Sequence, residues 1–497
     1  MDMTKYNQAM SPEYWKNWDD KVQAKIDRDI EANRKADGHF ALENVPAGAE
    51  VKVEQIKSAF IFGAHIFNFD QLGTDERNAK YRALYGHDGL FNSATIAFYW
   101  KQLELEEGKP RFHGEYRDSA EFWNNCPDPK HQPHWRRPAV DPVVDFCLSK
   151  GIRLHGHTLV WSNNTWQTPD WLIAKIPLDA LAKTDIVRNE LGRLNGRATA
   201  GAFGDLTADQ FAEKYPEYAA YLNAETARHV MDIAVRYGDR IDSWDVVNES
   251  ATDFGQGLMV PGSKICKALQ GPMPGDYTYR NFKIAESVLP ERAKLNINDY
   301  NLSEDYLRQV QDLLARGCKI DIMGAQMHLF NPQICLDIAN GIPVDKNAAR
   351  TRVQTPDQVY ETFERLGKAG LPIHLSEITI TAPNNDERGQ AIQAVITRNL
   401  YRLWFSLKPM MGITWWNVVD DCGAPGEPSV SGLFSRNMEP KPAYYVLDDL
   451  INQEWKTRTC VKAGKDGSVE FRGFRGTYRL SWQDKDGTVR TREVILN

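Results

Sequence analysis

The chain has 497 residues, 42% of them hydrophobic, which is enough for one large domain with smaller appendages. Its 60 Lys and Arg residues against 67 Asp and Glu residues give a net charge of -7, which argues against nucleic acid or an anionic membrane surface as a partner. No apolar run is long enough to span a bilayer, and the seven cysteines lack zinc-site spacing. We therefore expect no metal site.

The N-terminal segments predict a helical lead-in over residues 1–37 and a β-hairpin over 38–58. Ser11 suits a helix cap, Pro12 suits the first helical position, and an amphipathic run follows to about Lys35. Residues 38–58 alternate apolar and polar side chains around a Pro-Ala-Gly turn, which is typical of paired strands.

Residues 59–455 alternate apolar, strand-like runs with amphipathic stretches. Eight strand-like runs occur, at 59–67, 91–98, 152–161, 241–249, 293–300, 320–329, 371–380 and 411–420. One intervening helix has Thr355 as its cap, Pro356 next and Gly370 as its stop. Eight strand–helix units predict the α/β class and a (β/α)8 TIM barrel, with its chemistry at the carboxyl ends of the strands.

The C-terminal residues 456–497 have a different pattern, with two Asp-Gly turns between alternating strands. They predict a small accessory β unit. We expect it to pack with the 38–58 element, because either piece alone is too small to bury a core.

Two carboxylates stand at strand positions that face the predicted barrel mouth. Glu249 ends the run SWDVVNE, and Glu377 lies in HLSEITI, 128 residues later. A pair of acids across one cleft is what glycoside hydrolysis requires. Their spacing would set the stereochemistry, roughly 5 Å for retention and roughly 6.5–9.5 Å for inversion. Asn248 and the strand histidines His157, His328 and His374 support a site there.

Eight motifs occur in the order found in family 10 glycoside hydrolases, which the chain resembles along most of the barrel. The commonest members of that family are endo-β-1,4-xylanases. The motifs are HGHTLVW (155–161), QTPDW (167–171), SWDVVNE (243–249), INDYN (297–301), GAQMH (324–328), SE (376–377), GITWW (412–416) and EPKPAYY (439–445).

The resemblance implies a role for each matching residue. Glu249 would be the acid/base and Glu377 the nucleophile of a retaining double displacement. Asn248 would bind the hydroxyl next to the anomeric carbon, and His328 would hold Glu377. Tyr300 would lie near the catalytic centre or the leaving group. The remaining implied sugar-site residues lie on the non-reducing side: His157, Trp161, Gln167, Lys101, Gln326 and Trp416.

The chain departs from the family pattern in several places on that side. Ala97 and Phe98 replace an acidic-Asn pair, Ser162 replaces a histidine, and Thr379 replaces an aspartate. A second tryptophan is missing from 420–429. The 112–140 stretch, with Phe112, His113, Trp123, His131, His134 and Trp135, predicts either an enlarged loop that reshapes the cleft or an ordinary surface loop.

The expected function is that of a retaining β-glycoside hydrolase on a plant-type polysaccharide, most simply β-1,4-xylan, with no cofactor. Two alternatives stay open: an exo-acting or non-xylan β-glycosidase, and a non-catalytic carbohydrate-binding barrel. The expected partner is a polysaccharide or oligosaccharide, with no nucleic acid and no membrane. A polymeric substrate favours a secreted or periplasmic protein whose signal peptide has been removed. A P-loop or Gly-rich dinucleotide turn is absent from the sequence.

Overall fold

The computed structural model describes residues 1–181, 203, 206–257, 259, 275–342 and 355–497. Within these ranges the strands are β1 (Lys35–Ala41), β2 (Glu50–Ser58), β3 (Ile61–His65), β4 (Ser93–Ala97), β5 (Arg153–His157), β6 (Val160–Trp161), β7 (Ser243–Asn248), β8 (Lys294–Asp299), β9 (Ile322–Leu329), β10 (Ile373–Ile380), β11 (Met410–Trp415), β12 (Arg458–Lys462), β13 (Ser468–Phe474), β14 (Gly476–Gln483) and β15 (Val489–Leu496).

Eight of these strands form a closed parallel barrel. The order is β3, β4, β5, β7, β8, β9, β10 and β11, and β11 pairs back to β3. The short strand β6 pairs with β7 at the rim. Each of the eight predicted runs overlaps one barrel strand, so the (β/α)8 prediction is confirmed.

Helices connect successive barrel strands, as the sequence pattern predicts. The helix capped by Thr355 spans Pro356–Gly367, and Thr355 and Gln358 cap each other's backbone N–H groups. Among the described residues, no helix has the length and apolar character needed to cross a bilayer. The main connecting helices are Asp75–Ala83, Val140–Ser149, Pro216–Tyr237, Tyr277–Val288, Glu304–Ala315, Pro332–Ala339, Pro356–Gly367 and Glu387–Ser406. The helix Pro442–Asp449 follows the last barrel strand.

Close packing inside the barrel brings β5 against β7, the two strands that lead to His157 and Glu249. Trp244 of β7 is fully buried and lies against Gly156 of β5. A Cβ atom on Gly156 would lie 2.2 Å from Trp244 Cε3, so only glycine fits there. This contact fixes the spacing of two strands that carry site residues.

The terminal segments form a separate β layer with its own core. Strand β2 pairs with both β12 and β14, and β14 pairs with β15. Strand β1 pairs with β13. The strands of 38–58 therefore do not form the predicted hairpin, because each pairs with a C-terminal strand instead. The buried core includes Val51, Val53, Tyr478, Leu480 and Trp482. The domain boundaries at 37, 58 and 455 stay a prediction.

The lead-in consists of helices Thr4–Asn7, Pro12–Asn17 and Asp20–Arg34. It lies on the barrel helix Glu387–Ser406, where Asn399 Nδ2 donates to Tyr14 Oη at 2.7 Å. Asn33 Nδ2 donates to the carbonyl of Ser406 at 2.8 Å. These contacts anchor the N-terminal segment to the outside of the barrel.

Candidate active site

A cavity of about 500 Å³ lies at the carboxyl ends of the barrel strands. Glu249, which directly follows β7, and Glu377, within β10, both line it. The volume is in the range of small-molecule sites. The fold therefore brings the two predicted acids to one cavity.

Glu249 stands where the main chain turns sharply out of the barrel. Its φ is 56°, in the left-handed region that residues other than glycine rarely adopt. Its N–H donates to the carbonyl of Asn298 at 2.8 Å, and its Oε1 accepts from Gln326 Nε2 at 3.2 Å. Backbone strain of this kind concentrates at functional sites.

The surroundings of Glu249 favour its protonated form. Burial, the charge of Glu377 and the charge of Asp299 together raise the pKa of Glu249 to about 8, despite hydrogen bonds from Gln326 and Asn248 that oppose the shift. Glu249 therefore carries a proton at neutral pH.

Glu377 is held by side chains from β8 and from β9, the strand next to its own. Asn298 Nδ2 donates to Glu377 Oε1 at 2.8 Å, and the His328 Nε2 atom lies 3.2 Å from Oε2. His328 Nδ1 in turn lies 2.9 Å from Thr379 Oγ1. Thr379 thus contacts the histidine from the position where the family pattern has an aspartate.

A buried carboxylate orients His157 on the other side of Glu377. Asp245 Oδ2 lies 2.8 Å from His157 Nδ1 and 2.9 Å from His155 Nε2. Burial opposes the charge of Asp245, but the two histidines outweigh it and hold the pKa of Asp245 below its usual value. His157 Nε2 then faces Glu377 Oε1 at 3.8 Å.

The cavity wall contains most of the residues that the resemblance implied, and several aromatic rings. Trp416 lies edge-on to His157, with ring centroids 5.6 Å apart. Aromatic faces of this type suit the apolar faces of sugars. The predicted residues that line the cavity are Glu249, Glu377, Asn248, His157, Trp161, Tyr300, Gln326, His328 and Trp416.

Lys101 and Gln167 do not line this cavity, contrary to what the resemblance implied. Lys101 Nζ forms an ion pair with Asp170 at the start of the helix Asp170–Ile173. Gln167 accepts from the N–H of Trp100 at 3.2 Å and donates to the carbonyl of Leu159 at 3.3 Å. Local partners therefore hold both side chains away from the mouth.

His374 also lies away from the mouth. It is the second residue of β10, three positions before Glu377, and its Nε2 lies 2.8 Å from Thr414 Oγ1. Burial lowers the pKa of His374 to about 3, so it is a neutral core residue.

Two segments that depart from the family pattern do reach the cavity, through residues that the sequence did not single out. From 112–140, Arg136 and Arg137 line the wall, but the six aromatic and histidine residues named above do not. From 420–429, Ala424, Pro425, Gly426 and Glu427 line it. The sequence indicates only that these two segments diverge from the family pattern. It does not indicate which of their side chains face the cavity.

Arg136 and Glu427 join these two segments. Arg136 Nη1 lies 3.7 Å from Glu427 Oε2, and Arg136 Nη2 donates to Asn417 Oδ1 at 3.0 Å. Glu427 Oε1 also accepts from Trp416 Nε1 at 3.1 Å. The two segments therefore form one continuous part of the wall beside Trp416.

Two other residues that depart from the family pattern, Phe98 and Ser162, contact neighbouring side chains. Phe98 is fully buried against Trp244, with ring centroids 4.9 Å apart. Ser162 Oγ donates to Tyr277 Oη at 2.9 Å. No group of three or more His, Cys, Asp or Glu side chains that could hold a metal ion occurs in the described part of the chain.

Comparisons with known proteins agree with the motifs. The model of "Glycosyl hydrolase family 10" matches residues 123–450. The endo-1,4-beta-xylanase C of Paenibacillus barcinonensis is 24% identical over 83% of this chain and 33% of its own length. The exoglucanase XynX of Acetivibrio thermocellus is 26% identical over 62% of this chain and 24% of its own length. The chain thus spans a third or less of these relatives.

A solved structure supports the fold. Xylanase 10B from Thermotoga petrophila, solved in complex with xylobiose, superposes with a TM-score of 0.51 at 20% identity, covering 80% of this chain and 95% of that one. The family match spans about two thirds of the chain and includes both acids, Asn248, His328 and Trp416. The chain belongs to glycosyl hydrolase family 10.

Proposed function

We propose that the protein is a retaining glycoside hydrolase that cleaves β-glycosidic bonds, with Glu249 as acid/base and Glu377 as nucleophile. The observation that supports this proposal most directly is that the two acids line one cavity but have different surroundings. Glu249 has its pKa raised to about 8 and therefore holds a proton for the leaving oxygen. Glu377 is aimed by Asn298 and His328.

The reaction then runs in two steps. Glu377 attacks the anomeric carbon while Glu249 gives its proton to the glycosidic oxygen, so the bond to the leaving sugar breaks and a glycosyl ester forms. Glu249, now ionised, takes a proton from a water molecule. The resulting hydroxide displaces Glu377, so the anomeric configuration is retained and both acids return to their first state.

We propose that Asn248 binds the substrate next to the reacting carbon. Its Oδ1 accepts from Asn298 Nδ2 at 2.9 Å and from Gln326 Nε2 at 3.3 Å. These two bonds fix the orientation of the amide. A preset amide can strengthen its bond to a sugar hydroxyl as charge develops in the transition state.

We propose β-1,4-xylan or a related β-linked polysaccharide as the substrate. The support is the family membership together with the relatives named endo-1,4-beta-xylanase and the neighbour solved with xylobiose. A polymeric substrate favours action outside the cytoplasm, so secretion or a periplasmic location is part of the proposal.

The test is a panel of soluble polysaccharides with product analysis, run on the wild type, Glu377→Ala and Glu377→Gln. We expect xylo-oligosaccharide release by the wild type and a loss of several orders of magnitude in both variants. NMR of the first product should give the β-anomer. Binding of xylan without turnover by the wild type would favour the non-catalytic barrel instead.

A second candidate is trimming from chain ends, and the Arg136–Glu427 contact favours it. This contact joins the 112–140 and 420–429 segments beside Trp416, on the side that the resemblance assigns to the non-reducing end. A wall there would limit how many sugars can extend past the acids. With end-labelled β-1,4-xylohexaose, trimming would give one short product from the start, whereas endo cleavage would give a mixture.

A further inference from the structure

Arg137 is a cavity-lining arginine whose charge lacks an ion-pair partner. Its side chain is 9% exposed, and its guanidinium carbon lies 3.7 Å from the centroid of the Tyr99 ring, which also lines the cavity. Nη1 donates to the carbonyl of Arg136 at 2.8 Å. Among the described residues, no carboxylate forms an ion pair with Arg137, and Nε has no hydrogen-bond partner.

The neighbouring Arg136 differs in this respect. Its guanidinium is neutralised by Glu427 and donates to Asn417, and its Nη2 also lies 3.2 Å from His65 Nε2. Arg136 therefore has a structural role in joining the two wall segments. Arg137 has no comparable set of acceptors.

An almost fully buried cation without an ion-pair partner is costly, because burial removes water and neutral groups replace only part of its hydration. Burial lowers the pKa of Arg137 to about 10, so the group still carries its charge at neutral pH. The rings of Tyr99 and Phe67 and the charge of Glu427, which forms no ion pair with Arg137, stabilise the cation only in part. Nη1 and Nη2 lie at the end of a side chain that lines the cavity, and Nη2 donates to no acceptor among the described residues, so this end of the guanidinium is suited to an anion that enters the cavity.

We infer that Arg137 is an anion-recognising specificity residue, and that the preferred substrate is a β-linked oligosaccharide carrying an oxyanion, as a uronic acid carboxylate or a sulfate ester. The planar guanidinium matches two oxygens of such a group better than a sugar hydroxyl. This inference rests on the proposed function for its catalytic part only.

The position of Arg137 indicates where the anion would lie. Tyr99, on which it stacks, is 5.3 Å from the His157 ring and 6.0 Å from the Trp161 ring, measured between centroids. The guanidinium also lies 4.9 Å from the Phe67 ring centroid. The anionic sugar would therefore occupy the side of the cavity that contains Trp161, and not a remote surface.

The test uses three matched probes: a β-1,4-xylotetraose carrying one glucuronic acid unit, the same compound with its carboxylate reduced to an alcohol, and the reduced compound carrying a sulfate ester. We expect the wild type to cleave a charged probe with a kcat/KM at least about tenfold above the reduced one. Arg137→Gln should remove that preference and leave the reduced probe within about threefold. The charged probe that the wild type prefers, with the carboxylate or with the sulfate, identifies the anion.

Two control variants distinguish a specific role of Arg137 from a general effect of lost charge or impaired folding. Arg137→Lys keeps the charge without the planar fork and should retain part of the preference. Arg117→Gln removes one charge from the same 112–140 segment at a residue that does not line the cavity, and should change nothing. A preference that survives in Arg137→Gln, or a wild type without any preference, would overturn the inference.

Binding measurements distinguish this failure from failure of the proposed function. Calorimetry with Glu377→Ala and with Glu377→Ala/Arg137→Gln should show tighter binding of a charged probe that depends on Arg137, whether or not the protein hydrolyses anything. Equal affinity of Glu377→Ala for all three probes, or binding of none, would refute the anion subsite. Loss of hydrolysis with charge-selective binding intact would refute only the hydrolase.

Discussion

Asn298 Nδ2 donates to Glu377 Oε1 at 2.8 Å and thereby fixes the direction of the proposed nucleophile. The other side of the same amide is also held, because Asn298 Oδ1 accepts from Ser376 Oγ at 2.6 Å. Glu377 lies on β10 and Asn298 lies on β8, and these two strands are not adjacent in the barrel. The closed barrel therefore presets the nucleophile before any substrate binds.

Asn298→Ala should lower kcat by about 10–100-fold with a smaller change in KM, because a nucleophile displaced by about 1 Å loses its alignment. Steady-state kinetics on xylan or an aryl β-xyloside measure this. Asn296→Ala is the matched control: it lies on the same strand, is equally buried, and its side-chain polar atoms have no hydrogen-bond partner in the described residues. Equal losses in both variants would contradict the positioning role.

The raised pKa of Glu249 sets the pH dependence of the reaction. The acid must be protonated for the first step, so kcat/KM should fall as the pH rises through about 8. Glu249→Gln should remove this alkaline limb and slow cleavage of substrates with poor leaving groups by several orders of magnitude. An aryl glycoside with an acidic phenol needs no proton and should retain its first step. If kcat/KM of Glu249→Gln still falls at alkaline pH as it does in the wild type, a group other than Glu249 is responsible for that fall.

The same pKa shift links Glu249 to stability. Its folded-state pKa of about 8 lies above the usual 4.5, so its neutral form favours folding. That contribution is fully present below about pH 4.5 and is lost as the pH rises through about 8. Glu249→Gln should therefore raise the melting temperature more at pH 9 than at pH 4. Scans of both proteins across this range measure the difference, and a constant offset would contradict the linkage.

Thr379→Val should weaken the hold on His328 with little change in packing volume. His328 Nδ1 lies 2.9 Å from Thr379 Oγ1, and His328 Nε2 contacts Glu377. Loss of the hydroxyl frees the ring to rotate, so we expect kcat to fall by about 3–30-fold. Thr381→Val, one residue beyond the end of the same strand, is the control, because the Thr381 hydroxyl donates to the carbonyl of Phe330 at 3.4 Å and does not contact His328. A larger loss in Thr381→Val would refute this role.

The barrel was predictable from the sequence because each strand is a continuous apolar run, and the two acids because they end or interrupt such runs. The sugar-binding roles of Lys101 and Gln167 stay predictions, because neither residue is among those that line the cavity. Whether they face the mouth depends on their local partners Asp170 and Trp100, and the sequence motifs do not indicate these contacts. Arg137 was missed for a related reason. A charged residue in a divergent loop gives no periodic signal of which way it faces.

Leu480→Ala should test whether the terminal β layer is a separate unit, as the boundaries at 58 and 455 predict. Leu480 is fully buried in the second core, with Val53 and Tyr478. Its truncation should lower the free energy of unfolding by about 2–5 kcal/mol, through lost burial and the cavity left behind. Arg479→Ala is the control, because that side chain is 49% exposed and should change stability by less than about 0.5 kcal/mol.

Activity and unfolding together decide the outcome of this test. Leu480 lies outside the barrel core and the cavity, so kcat/KM of Leu480→Ala should equal that of the wild type below the transition. A new transition at lower urea, seen while the enzyme is still active, would show that the β layer unfolds first and alone. A single unfolding transition that coincides with the loss of activity would instead show that the β layer and the barrel unfold as one cooperative unit.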